Sequence, residues 1–380
     1  MKVKIIILLC FCLVSCSNED KSDEKKQVQN NVIEIDTKKQ KEEKYVIDES
    51  GASDLIFENL YFDNKDTEQV VDFFKDYNLD FEKSNSYIEN IVVDSNNKFL
   101  DSEDYGYDWV PKTPYLGNYV FDDRLNLLTT SLEDGKSDLE VYTKDLDKDV
   151  KVSTLIENIN YLEPLYTYVD DKLYYSSDTV DGKSILGVFS LEDFSNKYLV
   201  KNSLELDGEK CTGDVISLVT ELDEKIVYQV SHYDGQSIRE DKPLKNKLVY
   251  LDNPSWQIDI GKNNFDFFEK SGDYFISHDR GYGEEDRLVK IYDKDYKLLY
   301  KITAPIDRLV NITNLEKNGK RYILLSDGMW THYLVDVEEN KQSYQLNGIN
   351  SIDRDFWYNK DKFILSNGGE SYLGRVKKWG

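Results

Sequence analysis

Hydrophobic and polar positions alternate along most of the chain in short runs, which Gly, Asn, Asp or Ser residues separate. Runs of this kind predict half-buried β-strands joined by tight turns. One strand pattern recurs about every 47 residues, in segments 125–131, 172–177, 225–231, 273–277, 321–326 and 362–366. A hairpin-like pair of runs follows each of the first five segments, and a further run precedes the segment, as in residues 265–268. The repeat therefore predicts a unit of four short antiparallel strands.

Four strands at this period are typical of one blade of a β-propeller. One such sheet cannot bury both of its faces alone, whereas stacking the units in a ring buries them all. We therefore predict an all-β fold, a propeller of four-stranded antiparallel blades. Six blades are visible in the sequence, and seven is the alternative if residues 50–118 hold another. A β-sandwich is the main alternative fold.

The last repeat is short, because residues 352–367 and 372–379 supply only three strands. A strand from the N-terminal region would complete it, and residues 86–93 and 55–62 are the candidates. One helix is expected near residues 66–77, with Asp66 or Thr67 as its N-cap and an apolar face that includes Val70 and Phe74.

The N-terminus has a different pattern. Lys2 and Lys4 precede an unbroken apolar run over residues 5–14, and this order is typical of a secretory signal peptide. The run ends in Leu13-Val14-Ser15-Cys16, which resembles the lipobox of bacterial lipoproteins. The resemblance implies cleavage after Ser15 and a lipid on Cys16. The chain would then be exported, with its body outside the cytoplasm, and anchored to the cell membrane or the outer membrane.

Three regions follow from these patterns: a signal peptide over residues 1–15, a tether over residues 16–44 and a folded domain over residues 45–380. The tether contains charges of both signs and no aromatic residue, a composition typical of disorder. The domain resembles the broad class of exported bacterial propeller-domain proteins in architecture, although it has no motif of a named propeller family.

The composition of the chain disfavours several classes of function. The chain has 73 acidic and 48 basic residues and a net charge of −25, which disfavours binding to nucleic acid or to anionic lipid headgroups. Cys211 is the only Cys in the domain, so no intrachain disulfide is expected and a packing role is favoured. The sequence has no nucleophile elbow, zinc-protease motif or phosphate-binding loop. We therefore expect no cofactor and no metal, and a binding function is favoured over catalysis.

The second strand of several repeats ends in a short run of mainly polar residues. These runs are residues 176–178, 231–234, 277–280, 326–328 and 366–368. In a four-stranded blade these ends share one face with the linkers between blades, which we call the loop face. His232 and His278 occupy matching positions in adjacent repeats. We predict a partner-binding site there, formed by His232, Asp234, His278, Asp279, Asp327 and Trp330.

The expected partner is an envelope protein, a peptide or a glycan. A propeller hydrolase or lyase acting on envelope polysaccharide is one alternative, and a structural subunit of an envelope complex is another. The opposite side, the hairpin face, carries acidic turns such as the one that contains Asp293 and Asp295. Ordinary turn chemistry explains these residues.

Overall fold

The protein is nearly all β in a computed structural model. The structure describes residues 43–63, 66–84, 92–93, 99–100, 125–131, 137–144, 150–159, 165–180, 182–208, 210–238, 241–279, 288–302, 311–326, 332–339, 341–349, 355–359, 362–367 and 370–377. Its first elements are β1 (Glu43–Val46), β2 (Ser53–Asp54), β3 (Glu58–Tyr61), α1 (Thr67–Lys75), β4 (Leu79–Ser84), β5 (Val92–Val93) and β6 (Phe99–Leu100).

The remaining strands form six antiparallel sheets in chain order, and we number the sheets 1 to 6. Sheet 1 contains β7 (Leu125–Ser131), β8 (Ser137–Lys144) and β9 (Val150–Ile159). Sheet 2 contains β10 (Leu165–Val169), β11 (Lys172–Val180), β12 (Lys183–Ser190) and β13 (Asn196–Ser203). Sheet 3 contains β14 (Glu205–Asp207), β15 (Lys210–Leu222), β16 (Lys225–Ser237), β17 (Lys245–Tyr250) and β18 (Trp256–Gly261).

Sheet 4 contains β19 (Phe265–Ser271), β20 (Tyr274–Asp279), β21 (Val289–Tyr292) and β22 (Leu298–Ile302). Sheet 5 contains β23 (Asn311–Lys317), β24 (Lys320–Ser326), β25 (His332–Asp336) and β26 (Tyr344–Asn347). Sheet 6 contains β27 (Asp355–Asn359), β28 (Lys362–Asn367) and β29 (Glu370–Val376). Every strand that the repeat predicted lies in one of these sheets, so the prediction of an all-β chain of repeated antiparallel sheets is confirmed.

Tight turns join consecutive strands of several sheets. Asp223 and Glu224 between β15 and β16 both have positive φ, and so do Asn318 and Gly319 between β23 and β24. Two consecutive residues with positive φ form the hairpin turn whose twist matches that of the flanking strands. The Asp, Asn and Gly residues between the apolar runs therefore fix the registers of these hairpins.

Neighbouring sheets pack face to face in chain order, and an apolar cluster fills each junction from sheet 1 to sheet 6. Leu155 of sheet 1 packs with Leu173 of sheet 2, for example, and Ile276 of sheet 4 packs with Ile323 of sheet 5. The central strands are therefore covered on both sides, and residues Tyr322 to Ser326 of β24 are all buried. Burial on both faces explains why these strands are continuous apolar runs instead of strict alternations.

Residues 43–62, which we call the strap, cover the outer edges of three sheets. β1 pairs in parallel with β18, β2 with β22 and β3 with β26, so the strap passes from sheet 3 to sheet 4 and sheet 5. Leu55 and Phe62 of the strap are buried, whereas Ile56 and Tyr61 are exposed. These pairings satisfy backbone groups that the edge strands would otherwise expose to unwanted pairing.

The helix forms as the sequence predicts. Asp66 is the N-cap of α1, and its Oδ1 accepts a hydrogen bond from the Gln69 backbone N–H at 3.1 Å. Val70, Val71 and Phe74 are buried against the junction of sheets 5 and 6. In the described part of the chain, no helix has the length and apolar character that crossing a membrane requires.

Neither of the two segments predicted to complete the last sheet, residues 86–93 and 55–62, supplies the fourth strand of sheet 6. β4, directly after the helix, pairs antiparallel with β29, with Leu79 opposite Val376. Of the candidates, residues 58–61 form β3 on sheet 5, and Val92–Val93 pair with β6. The prediction named the wrong segments because it treated the most apolar runs as sheet strands, whereas β3 is an added strand on the edge of another sheet. β1 begins at Glu43, within the predicted tether.

Candidate functional site

The first hairpin of sheet 3 is much longer than the sheet that contains it. β15 and β16 each have 13 residues, whereas β17 pairs only with Val227 to His232 of β16. Beyond that point the ends of β15 and β16 pair with each other, and β14 adds a third strand. This three-stranded extension, formed by β14, residues 210–213 and residues 233–237, continues beyond the end of β17, and we call it the wing.

A small apolar cluster joins the wing to its surroundings: Cys211 and Tyr233 of the wing pack with the adjoining residues Leu204, Val215 and Ile238. Tyr233 is 2% exposed, so it stabilises the wing and is not available to a partner. Cys211 is fully buried, in agreement with the predicted packing role. The wing is therefore an ordered structure that can present side chains on its surface.

An exposed His–Asp pair lies at the base of the wing. His232 on β16 is directly opposite Asp214 on β15, and Nδ1 of His232 lies 2.8 Å from Oδ1 of Asp214. Both side chains are 51% exposed. Asp234 is also exposed, and its backbone N–H donates to Oε1 of Gln236. These polar groups remain accessible to a partner.

Two leucines of this region are exposed, one on the wing and one next to His232. Leu206 on β14 is 38% exposed and Leu244 is 47% exposed. The backbone N–H of Leu244 donates to the carbonyl of His232 at 2.9 Å, so the leucine directly adjoins the histidine. We call Leu206, Asp214, His232, Asp234 and Leu244 the wing surface. Apolar side chains beside an accessible polar pair are a composition suited to contact with another molecule.

The matching histidine of sheet 4 has a different environment. His278 on β20 pairs with Asp266 on β19, and Nδ1 lies 2.7 Å from Oδ1. The two pairs use the same strands of adjacent sheets, as the sequence repeat indicated. However, the His278 side chain is 1% exposed. His278 therefore contributes to the interior of sheet 4, and no partner can reach it without rearrangement.

Asp279 belongs to a buried ionic network. Its Oδ2 lies 2.7 Å from Nζ of Lys290, which also contacts Glu49 of the strap at 2.9 Å. Nζ of Lys290 donates a further hydrogen bond to Oδ1 of Asn263 at 2.7 Å, and the hydroxyl of Tyr292 donates to Glu49. The network therefore joins the strap, the linker between sheets 3 and 4 and two strands of sheet 4.

Burial shifts the acid–base properties of this network. Burial is the largest influence on Asp279 and raises its pKa to about 6, although Lys290 opposes the effect. Burial would also raise the pKa of Glu49, but the hydrogen bond and charge of Lys290 outweigh it and the net pKa is lowered. The pKa of Lys290 is raised, because the two carboxylates outweigh burial. The lowered pKa of Glu49 and the raised pKa of Lys290 have the directions of an ion pair, whereas burial dominates at Asp279.

Of the predicted site residues, the structure therefore places His232 and Asp234 on the wing surface and His278 and Asp279 inside sheet 4. Asp327 and Trp330 lie outside the described residues, as does the predicted lipidation site Cys16. Sequence reasoning missed Glu49, Lys290 and Asp214. The register of β15 with β16 was the signal for Asp214, whereas nothing local pointed from Lys290 to a residue of the strap.

Carboxylates of the hairpin face stabilise turns, as the sequence indicated. Asp293 Oδ1 accepts hydrogen bonds from the backbone N–H groups of Asp295 and Lys297. The carboxylate of Asp336 accepts hydrogen bonds from the backbone N–H groups of Glu338, Glu339 and Lys341. These carboxylates serve the fold and leave few acceptors for a ligand.

A concavity of about 180 Å³ lies on the hairpin face between the turns of sheet 5. Its walls include Lys317, Lys320 and Lys341, but each lysine has a carboxylate partner. Lys320 and Lys341 pair with Glu339, and Lys317 pairs with Asp76. The described residues contain no cluster of three His, Cys, Asp or Glu side chains that could hold a metal ion. The wing surface is therefore the better candidate site.

Comparisons with known proteins give no family. No protein-family model and no curated protein matches the sequence. Among solved structures, the chain is similar to a catalytically inactive virginiamycin B lyase from Staphylococcus aureus bound to quinupristin, with 8% identity and a TM-score of 0.34 over 79% of this chain and 100% of that one.

Two further similar structures are BBS1N in complex with ARL6DN and the computationally designed Ika8 protein. The first has 8% identity and a TM-score of 0.36, covering 68% of this chain and 79% of that one. The second has 8% identity and a TM-score of 0.32, covering 66% of this chain and 93% of that one. TM-scores of this size do not establish a shared fold, and the functions of these proteins do not extend to this chain.

Proposed function

We propose that this protein is a lipid-anchored binding module outside the cytoplasm, a six-bladed β-propeller that holds a partner protein or peptide on the wing surface. The lipid on Cys16 attaches the module to the membrane. The six sheets are the blades, and the pairing of β4 with β29 joins the two ends of the chain in the last blade. The packing of the sheets in chain order supports this arrangement.

One observation carries the binding proposal: among the described residues, the wing combines an ordered hairpin extension with exposed apolar groups. Leu244 is exposed beside the accessible His232–Asp214 pair, and Leu206 is exposed on β14 of the wing. Exposed leucines favour a protein or peptide, which can bury them, over a glycan, for which aromatic platforms are better suited.

The test is capture of the partner from intact cells by brief chemical cross-linking to the full-length protein, followed by identification of the captured molecule by mass spectrometry. The Leu206→Asp, Leu244→Asp double variant should reduce capture at least about tenfold, since each leucine loses its apolar contact and gains a desolvation cost. The matched control is Ile56→Asp on the strap, where an isoleucine that is 79% exposed is replaced.

A second control is the Asp293→Ala, Asp295→Ala variant of the hairpin face, which should capture the partner normally. Undiminished capture by the leucine variant would overturn the assignment of the wing surface. Capture that is lost with the hairpin-face variant alone would assign the site to the opposite face. Capture that glycosidase abolishes and protease leaves intact would replace the protein partner with a glycan.

A further inference from the structure

The strap adds a strand to the outer edge of three successive sheets, and sheet 2 has no such added strand within the described residues. β1, β2 and β3 pair in parallel with β18, β22 and β26, the last strands of sheets 3, 4 and 5. In sheet 2 the corresponding strand is β13, and β12 is its one neighbour in the described part of the chain. An edge of this kind presents backbone N–H and C=O groups that can pair with a further strand.

The edge strand β13 has the same irregularity as β22, whose edge the strap covers. A register shift leaves Leu199 of β13 unmatched by any residue of β12, and a shift between β21 and β22 leaves Leu299 unmatched in the same way. Bulges of this type bend and twist the strand that contains them. Because the bulge has the same place in both strands, β13 and β22 align residue by residue, and the two edges present their backbone groups in a similar way.

Lysines flank the bulge at the same two positions in both strands. They are Lys197 and Lys201 in β13, and Lys297 and Lys301 in β22. In sheet 4 the strap brings an acidic residue to each of these positions. Asp48 lies opposite Lys297, and Asp54 lies opposite Lys301. Opposite charges on paired residues stabilise a strand pair. The covered edge therefore indicates which side chains an added strand would bring to β13.

The lysines of β13 are accessible and lack such carboxylates. Lys197 and Lys201 are exposed, and so is Lys183 on β12. The described residues place no carboxylate within ion-pair distance of any of the three. Burial and, to a smaller extent, the charge of Lys183 lower the pKa of Lys201. An added carboxylate would offset this repulsion, so the edge favours an acidic strand although the chain as a whole has a net charge of −25.

We propose that the outer edge of β13 binds an extended acidic segment of a partner protein, which joins sheet 2 as a parallel strand. Its backbone pairs with the outward-facing groups of β13, as the strap pairs with β22, and its carboxylates lie opposite Lys197 and Lys201. Pairing of β13 with β13 of a second copy is disfavoured, because it would bring lysines together. The edge is separate from the wing surface, and the proposal does not depend on the function of the wing.

A short peptide of alternating valine and aspartate, with blocked ends, tests the edge in the full-length protein. At saturating peptide, hydrogen exchange of the outward-facing amides of β13 should slow at least about tenfold, because these amides gain hydrogen bonds. A peptide with lysine in place of aspartate is the matched control and should leave the exchange unchanged. The amides of β12, which pair inside sheet 2, report in every experiment that the sheet remains folded.

A charge exchange makes the test specific to the two lysines. The Lys197→Glu, Lys201→Glu variant should lose the protection by the aspartate peptide and gain protection by the lysine peptide. The matched control is the Lys262→Glu, Lys294→Glu variant, which changes the net charge equally at exposed positions outside sheet 2. This control should bind the aspartate peptide as the wild type does.

The exchange of β13 in the isolated protein separates the other possible occupants. Amides that are already protected at every dilution would overturn the proposal and assign the edge to another part of this chain. Protection that disappears on dilution would overturn it and assign the edge to a second copy. Amides that the aspartate peptide does not slow, or that both peptides slow equally, would show that the edge does not select an acidic strand and would also overturn the proposal.

Discussion

The ionic network beneath the strap gives the sharpest prediction about stability. Lys290→Met keeps the length of the side chain and removes its charge, which leaves Asp279 and Glu49 without their cation. The Lys290 side chain is 5% exposed and that of Asp279 is 14% exposed. Removal of one member of a buried ion pair typically costs about 3–5 kcal/mol. Because Glu49 is 35% exposed and retains water, we expect the free energy of unfolding at pH 7 to fall by about 3 kcal/mol.

The pH dependence of the network isolates Asp279. Its pKa is about 6 in the folded protein against an ordinary value of 3.8. A raised pKa means that the folded state binds the proton more tightly, so this contribution to stability is fully present below pH 3.8 and is lost as the pH rises to about 6. At about 1.36 kcal/mol per pKa unit, the contribution is about 3 kcal/mol.

Urea unfolding measures this contribution as a difference in the free energy of unfolding between the wild type and Asp279→Asn. Fluorescence follows the unfolding of both proteins at several pH values. The other carboxylates titrate in both proteins and cancel. The free energy of unfolding of the wild type, minus that of the variant, should fall by about 3 kcal/mol between pH 3.8 and 6 and then level off.

A difference that stays constant across that range, or that rises with pH, would refute the reasoning, because Asp279 would then not be a buried acid. The Lys290→Met variant provides a second check. Its defect should be smaller at pH 4 than at pH 7, since Asp279 is then protonated and needs no cation. Adding Asp279→Asn to Lys290→Met should recover part of the lost stability at pH 7.

Three further predictions concern other parts of the chain. Cys16→Ala should release the protein from membranes or leave its precursor uncleaved, as fractionation and mass measurement would show; a membrane-bound, mature-sized and unmodified variant would contradict the lipid anchor. Gly213→Ala should lower the melting temperature of the protein, with a cost of about 1–3 kcal/mol. The reason is that Gly213 has a φ of +137° and a Cβ there would lie 3.0 Å from Leu204. Unchanged melting would show that Gly213 and Leu204 are not tightly packed. Removal of residues 370–380 deletes β29, which lies between β28 and β4, and should abolish cooperative unfolding in calorimetry; a truncated chain that melts like the intact one would contradict this role of β29.

Local sequence patterns determined the elements that depend on neighbours in the chain. The segments 172–177 and 225–231 lie in β11 and β16, where the sequence places them. Asp66 caps the helix because its side chain reaches a backbone N–H three residues later. These features depend on turn chemistry, capping and side-chain period, which act over a few residues and are therefore visible in the sequence alone.

The strand pairing of the strap, by contrast, could be found only from the tertiary structure. β2 has two residues and β3 has four, too few to show a period, and their partners β22 and β26 are far away in sequence. Such strands form because the outer edges of finished sheets need hydrogen-bond partners, a demand that exists only once the sheets are packed. The sequence consequently made residues 55–62 one of two candidates for a strand of the last sheet, whereas the fold uses 58–61 at the edge of sheet 5.

The candidate site also combines a feature that the local sequence predicts with a feature that only the tertiary structure decides. Ser231-His232 and Ser277-His278 have the same local pattern, and both histidines pair with an aspartate of the preceding strand. The sequence could therefore predict that they occupy matching positions. Their exposure was decided by what surrounds each sheet: β15 and β16 extend beyond β17 and leave His232 half exposed, whereas the packing around sheet 4 buries His278. Burial is a property of the assembled sheets, and only the tertiary structure assigns one histidine to the surface and the other to the interior.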